Sequence, residues 1–280
     1  MFTIENEPAA VAEAREKILK EFEDLEFFEE GHIYLLHGNQ LDSVSQIGHR
    51  FIAEPFDEAV QAVRYAERHG ETPEHWIHKW HCNSFRATTL GTKTHEYGES
   101  LAYLRAGHPE MLRPSVLTQY NAELNYLAPI HPKEEAVVKF LDALPPSYHL
   151  VLNETKVYSG KNPDAERNLK EQICGTFDML YYYDGGGNPE KAGFIIMDYK
   201  TNQRLLNENN QKYGKMLLEP FQDFVEQDMS LYTIQLSLYA LMLEDIGLKV
   251  LDRKLIWLKP DGNFEKYSVP DVSERLRECL

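Results

Sequence analysis

Two residues of opposite charge stand two positions apart in the otherwise apolar segment FIIMDYKTN (194–202): Asp198 and Lys200. On a β-strand, side chains two apart leave the same face, so a carboxylate and an ammonium would project together. Upstream, GTFDML (175–180) sets Asp178 in a second apolar run. The intervening GGGNPEKAG (185–193) is a turn short enough to join both runs as an antiparallel hairpin, bringing Asp178 and Asp198 to one end of a sheet. Two converging carboxylates repel unless a cation bridges them. Hard oxygen donors suit Mg²⁺ or Mn²⁺ rather than zinc. A metal held there would polarise a scissile phosphate and lower the pKa of a bound water. A positioned lysine would orient that water or stabilise charge developing on the phosphate oxygens. The chemistry open to this set is metal-assisted hydrolysis of a phosphodiester. Plainer uses exist: Asp198 with Lys200 as a strand-end ion pair, and Asp178 as a polar residue after the Gly175-Thr176 bend.

The elements that must position these residues follow from periodicity. PAAVAEAREKILKEFEDL (8–25) reads as a helix, with Val11, Ala14, Ile18 and Phe22 at helical spacing. HIYLLHG (32–38) is a strand and turn, and DSVSQIGHRF (42–51) enters a helix. A clearer helix covers 54–70, with Pro55 near its start and Gly70 as its stop. Residues 71–107 form one or two helices, and Pro109, Pro114, Pro129 and Pro132 mark a looser stretch. KEEAVVKFLDAL (133–144) is an amphipathic helix stopped by Pro145 and Pro146. Strands then follow at 149–159, 171–184 and 193–201, a strongly apolar helix at 228–247, and a closing pair of strands at 254–260 and around NFEKYSV. The order predicts an α/β (α+β) fold with a central mixed sheet flanked by helices, not an alternating nucleotide-binding wind. It divides into a mainly helical region over 1–130, lending a helix to the site, and a core over 131–280.

Composition limits the function. The chain has 280 residues and a net charge of −16, which argues against coating nucleic acid through bulk electrostatics. A carboxylate-lined site using a metal to offset its own charge remains compatible with that balance. No run approaches the roughly 18–20 apolar residues of a membrane span. The first residues, MFTIENEPAAVAEAREK, carry early acids and no signal-type apolar run. Cys82, Cys174 and Cys279 are far apart and form no CxxC, which speaks against a disulfide framework or zinc finger. The expected setting is intracellular, reducing and cytoplasmic.

Four segments together resemble the PD-(D/E)XK nuclease superfamily, in its RecB-like branch. GTFDML matches the Gly-x-x-Asp strand and IIMDYKT the Asp-x-Lys strand. YTIQLSLYALML holds Gln235 and Tyr239 in a Gln-x-x-x-Tyr pattern, and GTKTHEYGE holds His95 in an upstream Gly-x-x-x-His helix. The resemblance spans roughly residues 91–240 and implies a restriction-endonuclease-like core. It implies that Asp178 and Asp198 bind Mg²⁺ or Mn²⁺, with the Tyr199 backbone carbonyl and His95 as further ligands and Lys200 as the catalytic lysine. Gln235 and Tyr239 would brace the site or touch the nucleic-acid backbone. Glu154, in LNETKVY, matches an acidic residue of the first core strand. His95 could equally be a polar surface residue paired with Glu99 one turn on, and Gln235 and Tyr239 ordinary parts of an amphipathic helix.

The implied activity is a metal-dependent deoxyribonuclease of the RecB-like exonuclease type, acting on single-stranded DNA or duplex ends in replication, recombination, repair or host-DNA degradation. In-line attack of water would leave 5′-phosphate and 3′-hydroxyl ends. No GxxxxGK[ST] is present, so unwinding would come from a helicase or recombination partner. Three scattered cysteines predict no iron–sulfur cluster. The long segment between Lys200 and Gln235 would form a flap carrying Arg204, Lys212 and Lys215 toward phosphates, or a surface loop closing on the sheet. Trp76, Trp80 and Phe85 would be core residues or a stacking surface for unpaired bases. The alternatives are a catalytically inactive nucleic-acid-binding module of the same fold, a site-specific endonuclease, and a protein-interaction domain favoured by the acidic balance and the aromatics.

Overall fold

Val11, Ala14 and Ile18 line the buried face of helix α1 (Ala9–Glu21), and Arg15 lies among them almost fully buried. Its guanidinium is satisfied by the Val151 carbonyl at 3.0 Å and the Glu7 carboxylate at 2.7 Å, which binds α1 to the sheet. This is a computed structural model that describes residues 4, 7–161 and 169–280. Most of residues 1–6, on which part of the reading of the N-terminus rests, lie outside them.

Three short strands follow, β1 (Leu25–Phe28), β2 (Ile33–Leu36) and β3 (Asn39–Ser43), paired as an antiparallel meander. Ser43 then caps helix α2 (Val44–His49) in a reciprocal box with Gln46. Helix α3 (Glu58–His69) starts at an Asp57 cap and stops at Gly70 in the left-handed conformation. Thr72 caps α4 (Pro73–Arg105), and residues 71–107 resolve as one continuous helix of 33 residues. The proline-marked stretch holds two 3-10 turns and a small hairpin, β4 (Tyr120–Asn121) and β5 (Tyr126–Leu127). Helix α5 (Pro132–Asp142) leads into β6 (Tyr148–Tyr158), β7 (Ile173–Tyr183) and β8 (Gly193–Lys200). After α6 (Glu208–Tyr213) come α7 (Asp228–Asp245), β9 (Val250–Leu258), β10 (Phe264–Ser268) and α8 (Ser273–Cys279).

The strands make one mixed sheet in the order β1-β2-β3-β7-β8-β9-β10, with β6 on β7. The β6–β7–β8 run is antiparallel, as the short turn at 185–192 requires. Strands β8 and β9 are parallel, joined through α7, and β10 returns antiparallel. The start of β7 also pairs in parallel with β3, so residues 25–43 belong to the same sheet as the later strands. Beyond the expected strand at 32–38, β1 and β3 lie where the sequence shows no alternation, because four or five half-polar residues carry too little pattern.

Helices cover both faces. One apolar layer joins α1, α2 and α7 to one side of the sheet; Ile196, Leu236 and Tyr239 belong to it. The other joins α4 and α5 to the opposite side through Tyr97, Phe140, Met197 and Tyr199. Helix α7 is buried on most of its circumference, as an apolar helix held between sheet, α2 and α8 should be. No helix among the described residues is long and apolar enough to cross a membrane.

Candidate metal centre and active site

Three acidic residues fall in one transverse row of the sheet. Asn153 pairs with Met179 and Thr155 with Phe177, which sets Glu154 of β6 opposite Asp178 of β7. The β7–β8 ladder ends at Met179–Met197; its register, continued by one residue, sets Asp178 opposite Asp198. Where that ladder stops, Asp178 Oδ2 accepts the Tyr199 N–H at 2.7 Å and takes the place of the missing strand bond. In extended backbone a residue's N–H and C=O leave the same strand edge, so the Tyr199 carbonyl also faces this opening.

Glu154 has a backbone φ of 43°, in the left-handed region that L-residues avoid. Such a conformation costs about 1–2 kcal/mol. It interrupts the alternation of β6 at the residue whose carboxylate lies 3.5 Å from His95 Nδ1. The same ring nitrogen stands 3.3 Å from Asp178 Oδ2. One donor atom from each of His95, Glu154 and Asp178 can be chosen so that all lie within 4.8 Å of one another, a spacing at which three groups can share a cation.

Helix α4 delivers His95, and two glycines let it approach. A Cβ on Gly98 would lie 2.6 Å from Tyr199 Cε2, closer than real Cβ atoms come, so only glycine permits the contact. At Gly91 the approach is looser: an added Cβ would lie 3.3 Å from Thr201 Oγ1. Between them, the His95 ring meets the Tyr199 ring edge-on with centroids 5.9 Å apart. The Tyr199 side chain is buried against α4 and α5, so only its backbone borders the acidic row. The Gly91–His95 spacing is visible in the sequence; the need for Gly98 is not, because it depends on what lies across the sheet.

The charges divide into two groups. Asp198 is 1% exposed and pairs with Lys200 Nζ at 2.6 Å. Lys200 also reaches Gln235 Oε1 at 3.4 Å and lies over the Tyr232 ring at 4.0 Å. The compact cluster is therefore His95–Glu154–Asp178, while Asp198, opposite Asp178 in the sheet, engages Lys200. Burial, then the charge of Asp178, pushes Asp198 up to about 6. Burial and Asp178 raise Glu154 to about 7 against the pull of His95. Burial also works against charge on Asp178, yet His95, Lys200 and the Tyr199 amide hold it below its ordinary value. Burial opposes the His95 imidazolium, but Asp178 and Glu154 outweigh it and raise the ring well above its ordinary value. Lys200 is desolvated too, and Asp198 and Asp178 keep it charged.

Gln235 and Tyr239 form one chain of contacts from α7. Gln235 Nε2 donates to the Tyr239 hydroxyl at 3.2 Å, which donates to the Thr176 carbonyl at 2.7 Å. Tyr239 fills the space above Gly175, where a Cβ would lie 2.8 Å from its ring. Both residues thus brace Lys200 and β7 from the side opposite α4. Tyr232, one turn before Gln235 on α7, was missed by motif; its three-residue spacing to Gln235 is the signal that could have found it. Glu99 pairs with Arg113 rather than with His95. In the 201–227 segment, Leu217 and Phe221 are buried and Phe221 packs on Phe51 at 4.7 Å, so the segment is anchored in the core. Arg204 and Lys212 are exposed, whereas Lys215 is neutralised by Glu226 at 2.6 Å. Trp76 and Trp80 join Tyr65 at 5.1 and 5.4 Å and hold α3 to α4; Phe85 is 73% exposed.

Compared with models of known protein families and with curated proteins, the chain matches none.

Proposed function

We propose that this chain is a metal-dependent nuclease with a restriction-endonuclease-like core that hydrolyses DNA phosphodiester bonds. The observation that carries the reading is the convergence of His95, Glu154 and Asp178 within 4.8 Å of one another, beside a buried Asp198–Lys200 pair. The donor set fits a divalent cation: His95, Glu154 and Asp178 would hold it, with the Asp198 carboxylate and the Tyr199 carbonyl on its border. Carboxylates suit Mg²⁺ or Mn²⁺, and the imidazole tilts the preference toward Mn²⁺. When bound, the ion supplies Lewis acidity toward phosphate and acidifies water.

The protein's own groups do the rest. Lys200, held charged between Asp198 and Gln235, is placed to orient water or stabilise charge on a phosphoryl oxygen. Tyr232 beneath its ammonium and Tyr239 on Thr176 limit where that charge can move. The left-handed backbone at Glu154 is strain of the kind retained at working sites, and it supports the choice of this row. DNA, as single strands or duplex ends, is the proposed substrate, and a helicase or recombination protein the proposed partner.

A nucleic-acid-binding module that has lost catalysis is the second reading; the intact Asp178, Asp198 and Lys200 speak against it, and the net charge of −16 lends it no support. The test is cleavage of end-labelled single-stranded, linear duplex and closed circular DNA with Mg²⁺, Mn²⁺ or chelator, beside Lys200→Ala. Metal-dependent loss of linear DNA with circles spared, absent in the variant, supports an exonuclease; cut circles mean an endonuclease. No cleavage of any DNA or RNA with either metal overturns the enzyme reading in favour of the binding module.

A further inference from the structure

Helix α4 is buried only from Thr94 onward, where it packs on the sheet and delivers His95. None of its residues over 73–93 is buried, and residues 83–89 are exposed one after another around the whole circumference. Helix α3 covers only the start of α4: Tyr65 meets Trp76 and Trp80, and Glu58, the first residue of α3, reaches His81 at 2.9 Å. A helix with no buried face gains nothing from packing, so the stretch at 83–89 adds nothing to the core.

The charge of this stretch runs against that of the chain. The net charge is −16, yet no acidic residue stands between Glu74 and Glu96, where Lys79, Arg86 and Lys93 recur seven apart. Seven residues are close to two helical turns, so the three cations share one face and span about 21 Å of the axis. All three are exposed, and among the described residues none has a carboxylate partner; nor do Arg64 and Arg68 on α3. Elsewhere the cations are more often neutralised: every other described arginine except Arg204 holds a carboxylate. Unpaired cations repeated along one helix face suit a polyanion of repeating charge, and a phosphodiester backbone is one. Phe85, 73% exposed beside Arg86, adds a ring on which an unstacked base can lie, which favours a nucleic acid over an acidic peptide.

We propose that this face of α4, through Lys79, Arg86 and Lys93, binds the phosphate backbone of a DNA strand outside the cutting site. The choice of DNA as the polyanion rests on the nuclease reading above. Arg86 and Lys79 stand nine and sixteen residues before His95, about 13 and 24 Å along the axis, so they hold strand that is not at the metal. Lys93 and His95, two residues apart, leave the helix about 200° from one another, so the basic face is separate from the acidic cluster. A strand that touches both passes round the bare helix. The contact fixes position and carries no base information, and it gives a chain of strongly negative net charge a local hold on a polyanion.

The test is fluorescence anisotropy of labelled single-stranded oligonucleotides of varied sequence with the full chain, in chelator so that nothing is cut, over a series of salt concentrations. Wild type is compared with the triple variant Lys79→Gln, Arg86→Gln, Lys93→Gln. The control triple variant, Lys17→Gln, Lys20→Gln, Lys191→Gln, removes the same charge from exposed lysines elsewhere. Wild type is expected to bind with strong salt dependence. The α4 variant should bind roughly tenfold or more weakly, with the slope of log K against log salt shallower by about 0.7 per cation, about 2 in all, whatever the sequence. The control keeps the wild-type slope. Should the α4 triple variant fail to fold, Arg86→Gln alone decides, through a slope shallower by about 0.7. No binding by folded wild type, or equal losses in the α4 and control variants, overturns the proposal even if the protein cuts DNA. Binding that depends on these three cations, by a chain that cuts nothing with either metal, sustains the basic face and removes the nuclease reading instead.

Discussion

The Tyr199 amide donates to Asp178 Oδ2 at 2.7 Å, at the point where β7 and β8 stop pairing. A carboxylate does there what a strand carbonyl does elsewhere in the sheet. The same oxygen lies 3.3 Å from His95 Nδ1, so one atom joins the end of β8 to helix α4. Asp178 is thus a structural tie as well as a candidate metal ligand, which separates the effects of removing its charge from those of removing its shape.

Asp178→Asn keeps the shape and deletes the charge. In metal-free protein the His95 ring owes much of its raised pKa to Asp178. The variant should therefore titrate at lower pH than wild type in an NMR pH series on the His95 ring protons. An unchanged midpoint would show that the ring does not sense this carboxylate.

Between pH 6 and 8 the metal-free site should lose stability. Burial opposes charge on His95, but Asp178 and Glu154 raise its folded pKa above the ordinary 6.5. Its contribution is full below about 6.5 and is lost as pH rises through the higher folded value. Glu154, raised mainly by burial from 4.5 to about 7, acts in the same direction: ionising it in the folded chain becomes unfavourable as pH climbs through that interval. Asp178, lowered, contributes a constant amount across this window, because its unfolded value lies near 3.8. The metal-free melting temperature is expected to be higher at pH 6 than at pH 8, and Mn²⁺ to raise it more at pH 8. The opposite order in a buffered melting series would contradict the electrostatics assigned to this cluster.

Gly98→Ala should be destabilising by about 1–3 kcal/mol through overpacking on Tyr199. Gly91→Ala, on the same helix with a looser 3.3 Å contact, is the control. There, alanine's helix propensity, worth about 0.8–1 kcal/mol over glycine, should offset most of any strain. Urea denaturation that ranks the two variants equally would remove close approach as the reason for glycine at 98.

Tyr239→Phe deletes the hydroxyl that donates to the Thr176 carbonyl and accepts from Gln235 Nε2. The cost should be about 1–3 kcal/mol in urea denaturation. Gln235→Ala removes a neighbour of Lys200 without touching the acidic cluster. It is expected to lower kcat for DNA cleavage while leaving Mn²⁺ affinity within about twofold. Equal losses in both quantities would place Gln235 at the metal instead.

Much of the core was legible in sequence because it is periodic. The alternation over 149–159 and the apolar runs around Phe177 and Ile196 mark three strands, and the turn at 185–193 dictates the antiparallel pairing of the last two, whose register continued by one residue sets Asp178 opposite Asp198. The unbroken apolar face of α7 likewise announces a buried crossover helix. Residues 25–43 announce less, because β1 and β3 are short and β3 is held in the sheet by β7, far away in sequence. Side-chain partnership was the least legible. The two-residue spacing in IIMDYKT already allows Lys200 to pair with Asp198, but nothing in it says that His95 and Glu154 will gather on Asp178, because that depends on where α4 and β6 meet β7. Glu154's left-handed backbone is equally silent in sequence, because it is set by elements that meet only in the fold.

Calorimetric titration of Mn²⁺ into metal-free wild type, His95→Ala, Glu154→Gln and Asp178→Asn, each confirmed folded by circular dichroism, tests the centre most directly. The account predicts saturable binding to wild type, weakened by Glu154→Gln and abolished by Asp178→Asn and His95→Ala. Absence of binding to wild type, or binding unchanged in all three variants, would contradict a cation held by His95, Glu154 and Asp178.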